Sequence, residues 1–142
     1  MKKDNKRILR AFGMWKSQIT PDLMAASIGL TDPQWDTDGQ TLVWREERGG
    51  KGVLMAQPIG QAAYELSGAL NVRGGVGYGG GDFTIRDGLV VFAASDGRLY
   101  RRMLGAGFPE PITPAFGSAA APQLSPGNRW VAFVHTYEGA DV

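Results

Sequence analysis

The chain has 142 residues, enough for one domain with a core of its own, and fifteen Lys and Arg against fourteen Asp and Glu leave a net charge of +1. That balance gives no whole-chain electrostatic case for binding nucleic acid. Having no cysteine excludes a disulfide framework and thiolate metal centres and fits a reducing cytoplasm, and having one histidine excludes a multi-histidine metal site.

Residues 1–11 read as a solvated basic tail, with Lys2, Lys3, Lys6, Arg7 and Arg10 against Asp4. No apolar run follows this charged opening, because Arg10 and Gly13 break Ile8-Leu9-Arg10-Ala11-Phe12-Gly13, so neither a signal peptide nor a membrane span is expected. Residues 12–32 form an arm with one short helix. Thr20 caps it, Pro21 suits its first position, Asp22 complements its dipole, Leu23 to Ala26 favour it, and Gly29 ends it.

From residue 33 onward, twenty-one glycines and eight prolines across the chain punctuate short apolar runs, the pattern of strands and tight turns. Pro33 to Trp44 and Pro122 to Phe133 align without a gap at an offset of 89, setting Asp38-Gly39 on Gly127-Asn128 and Leu42-Val43-Trp44 on Val131-Ala132-Phe133. A third copy, Arg86-Asp87-Gly88-Leu89-Val90-Val91-Phe92, lies between them, so the strands end in aromatics at Trp44, Phe92 and Phe133, at spacings of 48 and 41. Such spacings match the roughly 40 to 50 residues of a four-stranded propeller blade.

The fold expected is therefore all-β: a partial β-propeller of about two and a half four-stranded blades with a short N-terminal helix. The first blade covers 33–70, with strands over Gln40 to Glu47, Gly52 to Gln57 and Ala62 to Leu66. A glycine-rich connection covers 71–83. The second blade covers 84–115, with strands over Leu89 to Ala93, Arg98 to Arg102 and Glu110 to Thr113, and an incomplete third covers 116–142. Fewer than three blades cannot close a ring, so either a partner completes the propeller or the chain is a piece of a longer protein. Trp35, Trp44, Phe92, Trp130 and Phe133 are expected as blade-packing core.

The connection carries six glycines among the eight residues 74–81. A phosphate-cradling loop needs a helix or a Lys-Ser/Thr pair after the last glycine, whereas Asp82-Phe83-Thr84 leads into a strand. Within it, Arg73 is the residue to watch, a cation beside a loop poor in side chains and able to reach a carboxylate or carbonyl; the plainer alternative is a solvated Arg or one paired with a nearby Asp.

No catalytic residue is assigned. G-x-S-x-G is absent, and the near misses fail on context: Ser27 follows the expected helix, while Ser95 sits in the hairpin turn Ser95-Asp96-Gly97. His135 reads as a strand side chain at a blade edge. Asp36 and Asp38 flank a turn and bond their own backbone, and Glu46 and Glu47 point to opposite faces of a strand, so neither pair is an acid-base dyad. No metal or cofactor is expected.

In order along the chain, Gly13-Met14-Trp15-Lys16-Ser17-Gln18-Ile19-Thr20-Pro21, Trp35-Asp36-Thr37-Asp38-Gly39, Asn71-Val72-Arg73 with Tyr78-Gly79-Gly80-Gly81, Leu99-Tyr100-Arg101 and Leu124-Ser125-Pro126-Gly127 resemble the N-terminal part of the propeller in the prolyl oligopeptidase family of serine peptidases. They are nearest its dipeptidyl-peptidase and acylaminoacyl-peptidase-like members. Two departures stand out: Gly77 alone precedes the Tyr where many members carry His-Glu, and Gly127-Asn128 replaces Asp-Gly. The resemblance implies a two-domain parent enzyme in which the propeller gates the access of short peptides to an α/β-hydrolase domain that holds the triad. Arg73 and Tyr78 are then the gating candidates, and Gly79, Gly80 and Gly81 the structural loop. Partners implied are that hydrolase domain and peptides; the charge balance and the missing apolar run leave nucleic acid and membrane unexpected, and the lack of cysteine keeps the cytoplasm as the expected place. An independent binding or scaffold module that assembles with copies of itself is the alternative.

Overall fold

In the computed structural model, residues 14, 28–74, 81–137 and 140–141 are described. They form three antiparallel sheets, each a meander in chain order. The first runs β1 (Gly29–Trp35), β2 (Thr41–Arg48), β3 (Lys51–Pro58) and β4 (Tyr64–Glu65); the second β5 (Phe83–Arg86), β6 (Leu89–Ala93), β7 (Leu99–Met103) and β8 (Glu110–Pro111). The third has β9 (Ser118–Leu124), β10 (Val131–Tyr137) and β11 (Ala140–Asp141). This is the all-β partial propeller that the repeat predicts. Gly29 opens β1; the expected helix and the basic tail lie outside the described residues.

The first strands converge, β1 on β5 and β5 on β9, so the sheets fan outward from that edge. What holds the blades together is the alternation of side chains along their second strands. Val90 and Phe92 point into a cluster with Val43, Leu54, Ala56 and Leu66 of the first blade. Their neighbours Val91 and Ala93 point the other way, into a cluster with Ala119 and Leu124 of the third. A strand buried on both faces has no position left for a polar residue, which is why β6 reads Leu-Val-Val-Phe-Ala.

Polar bonds tie the turns at one end. Asp36 accepts Thr37 N at 2.7 Å through Oδ1 and, through Oδ2, Gly88 N of the next blade at 2.9 Å. Thr37 Oγ1 accepts Asp87 N at 2.6 Å, and Asn128 Nδ2 donates to Arg86 O at 2.9 Å, joining third blade to second. Asp87, Gly88, Gly127 and Asn128 all have positive φ; in the first blade's aligned turn only Gly39 does, not Asp38.

The expected aromatic core needs correcting. Phe92 is fully buried, but Trp44 is only half-buried and Trp35, Trp130 and Phe133 are 57%, 70% and 42% exposed. Trp35 and Trp44 belong to the face of the first blade that points away from the second, Trp130 lies ahead of β10, and Phe133 sits where the β9–β10 register shifts. A repeated aromatic becomes core only where a neighbouring blade covers it.

Candidate functional site

The glycine-rich connection leaves the first blade at Asn71 and joins the second at Phe83, and its two stems meet. Gly74 N donates to Asp82 Oδ1 at 2.6 Å, closing the neck of the loop, and Asp82 Oδ2 lies 3.1 Å from Nε of Arg45 on β2. Arg45 also pairs with Glu47 and donates from Nε to Val72 O at 3.1 Å. Its guanidinium is mostly buried, so three acceptors around it offset the cost of taking the charge out of water.

The rest of the neck is fastened by backbone. Asn71 Oδ1 accepts Gly52 N at 2.7 Å, Val72 N donates to Gly52 O at 2.8 Å, and Val72 bridges Ala94 in the second blade. A Cβ at position 52 would stand 2.0 Å from Val72 O, so only glycine fits there. On the far stem Gly81 takes φ +79°, and a side chain would meet Ala121 of β9 at 3.1 Å. First, second and third blades thus all touch the neck.

Of the sequence-predicted site residues, Arg73 is exposed; its N–H donates to Ala93 O at 3.0 Å, and its guanidinium has no hydrogen bond or ion pair among the described residues. The nearby Asp82 is paired with Arg45 rather than with Arg73. Gly81 has the structural part just described. Tyr78, Gly79 and Gly80 lie outside the described residues, as does Ser27. The Arg45–Asp82 pair went unnoticed in the sequence, because nothing local joins residues so far apart; the one signal is that Arg45 shares its face of β2 with Val43.

The remaining candidates have structural partners. Ser95 N donates to Asn71 O at 2.8 Å in its turn, Asp38 Oδ1 accepts Gln40 N at 2.8 Å, and Glu46 accepts Trp44 Nε1 at 2.8 Å beside Arg48. His135 Nε2 lies 2.9 Å from Phe116 O, an acceptor, so the proton sits on Nε2. Its ring stacks on Phe116. The Tyr100 hydroxyl donates to Asp96 Oδ2 at 2.6 Å, and this bond, with burial adding to it, raises the phenol above its ordinary value. No cluster of three His, Asp or Glu suited to a metal occurs among the described residues, and no helix among them is long and apolar enough to cross a membrane.

No protein-family profile and no curated protein matches the chain. Among solved structures, the crystal structure of TolB from Acinetobacter baumannii, a β-propeller-like protein, is similar, with a TM-score of 0.57 and 19% identity over 76% of this chain. The chain spans about a quarter of that protein, 27% of its length. At this identity the likeness is one of fold.

Proposed function

We propose that the chain supplies non-catalytic blades to the propeller of a prolyl oligopeptidase-like serine peptidase, with the glycine-rich loop and Arg73 gating the approach of short peptides to a separate hydrolase domain. The observation that carries this reading is the division of labour within Asn71-Val72-Arg73. Asn71 binds Gly52, Val72 is fully buried between two blades, and Arg73 alone turns to solvent beside a neck that three blades hold still. A cation at the rim of a loop poor in side chains suits a peptide carboxylate or carbonyl, and a fixed neck keeps its position from depending on what it binds. Tyr78, in the same loop, is assigned with it.

The experiment is to read the coding sequence flanking this chain and to assay the encoded enzyme. Further blades followed by G-x-S-x-G, Asp and His in that order are expected; unrelated sequence would refute the peptidase reading. In the assembled enzyme, Arg73→Ala is expected to raise KM for short peptide amides several-fold with kcat little changed, the pattern of lost binding rather than lost chemistry.

A further inference from the structure

The three blades repeat in register as well as in sequence. Trp35↔Leu42 in the first, Ile85↔Val90 in the second and Leu124↔Val131 in the third are the same cross-strand pair, one on each inner hairpin and one on the same face of each blade. In the second blade this pair is buried against the first; in the third, Leu124 and Val131 pack against the second. Among the described residues nothing fills the corresponding place in the first blade, where Leu30, Pro33, Leu42, Trp44 and Gln57 line a groove of about 320 Å³. The opposite faces show the complement. Val43 and Val91 are buried on the next blade, whereas their equivalent Ala132, with Val134 two residues on and so on the same face, is exposed.

Each open face is thus one half of an interface that the molecule already makes twice. The molecule holds both halves; on the first, charge is confined to Glu46 with its partner Arg48 and to Glu65 at the β4 edge, opposite Met55. We propose that the Trp35–Leu42–Trp44 face of one copy receives the Ala132–Val134 face of a second copy, and the reverse, so that two chains close six sheets into one two-fold ring. Three sheets from each copy give a blade number within the range of about four to eight found in propellers. A head-to-tail contact either closes or runs on as a filament, and two copies are the closure whose six blades stay within that range, since three would make nine. The pairing rests on the fold alone and is an alternative to the peptidase reading, since further blades of a longer chain would cover the same two faces; sedimentation tests the first and the flanking coding sequence the second.

The test is sedimentation of the purified chain with two variants, Trp35→Glu and Val134→Glu, which change exposed positions and whose folding is checked by far-ultraviolet circular dichroism. Wild type is expected at twice the monomer mass, and each folded variant at the monomer mass with its dimer constant weakened at least tenfold. An equimolar mixture of the two variants retains one intact seam, wild-type socket against wild-type Ala132–Val134 face, and is expected to associate where neither variant does alone. Wild type that stays monomeric, or runs on into polymers, overturns the proposal. So do variants that remain dimeric, or a mixture no more associated than its components.

Discussion

At the scale of single residues, the neck of the glycine-rich loop shows how much structure depends on atoms that are absent. Gly52 has no positive φ to demand glycine; its constraint is space, since an added Cβ would stand 2.0 Å from the Val72 carbonyl and 2.8 Å from the Arg45 guanidinium. Gly52→Ala is therefore expected to destabilise by about 1–3 kcal/mol, as overpacking does, with the shift read in urea unfolding. Asp82→Ala removes the acceptor of Gly74 N and a counter-charge of mostly buried Arg45, and a loss of about 2–4 kcal/mol is expected, larger than for Asp38→Ala in its exposed turn. Tyr100 supplies a pH test. Its hydroxyl is held protonated by Asp96, so the folded state keeps its proton to higher pH than the unfolded chain does. That contribution is complete below the ordinary phenol value and is lost as pH climbs through the raised one. Wild type should accordingly lose stability at high alkaline pH more steeply than Tyr100→Phe, compared by denaturant melts on either side of pH 10.

Among the elements, legibility followed burial. The strands β2, β3, β6 and β7 fall within a residue or two of where the sequence puts them, because apolar runs end at Gly49-Gly50, Gly88 and Gly97, whose positive φ makes the turns. Alternation shows which residues share a face, but not whether that face has a neighbour; this is why the repeat identifies Phe92 as core and misplaces Trp35. The contrast is measurable. Phe92→Ala should cost about 3–5 kcal/mol, since its ring fills the seam between two blades. In the monomer Trp35→Ala should stay within about 0.5 kcal/mol. The Arg45–Asp82 pair is hidden for a different reason: it joins β2 to the loop stem ahead of β5 through space, and no periodicity along one strand encodes a partner off it.

For the whole molecule, stability is a sum of sheets and of the two seams between them, as in other stacked-repeat proteins. The second blade has both of its faces covered, and the first and third have one each. Nothing in such an arrangement requires the ends and the middle to open together. Amide exchange should consequently be graded, slowest in Val90 to Ala93 and fastest in β1 and β10, and the gradient should flatten when a neighbour occupies the outer faces. The loop neck fastened by Asp82 draws on all three blades at once, so a probe in residues 71–74 would report the loosening of either seam. That makes the neck a strain gauge for the entire arc, sensitive at one point to whatever docks at its edges.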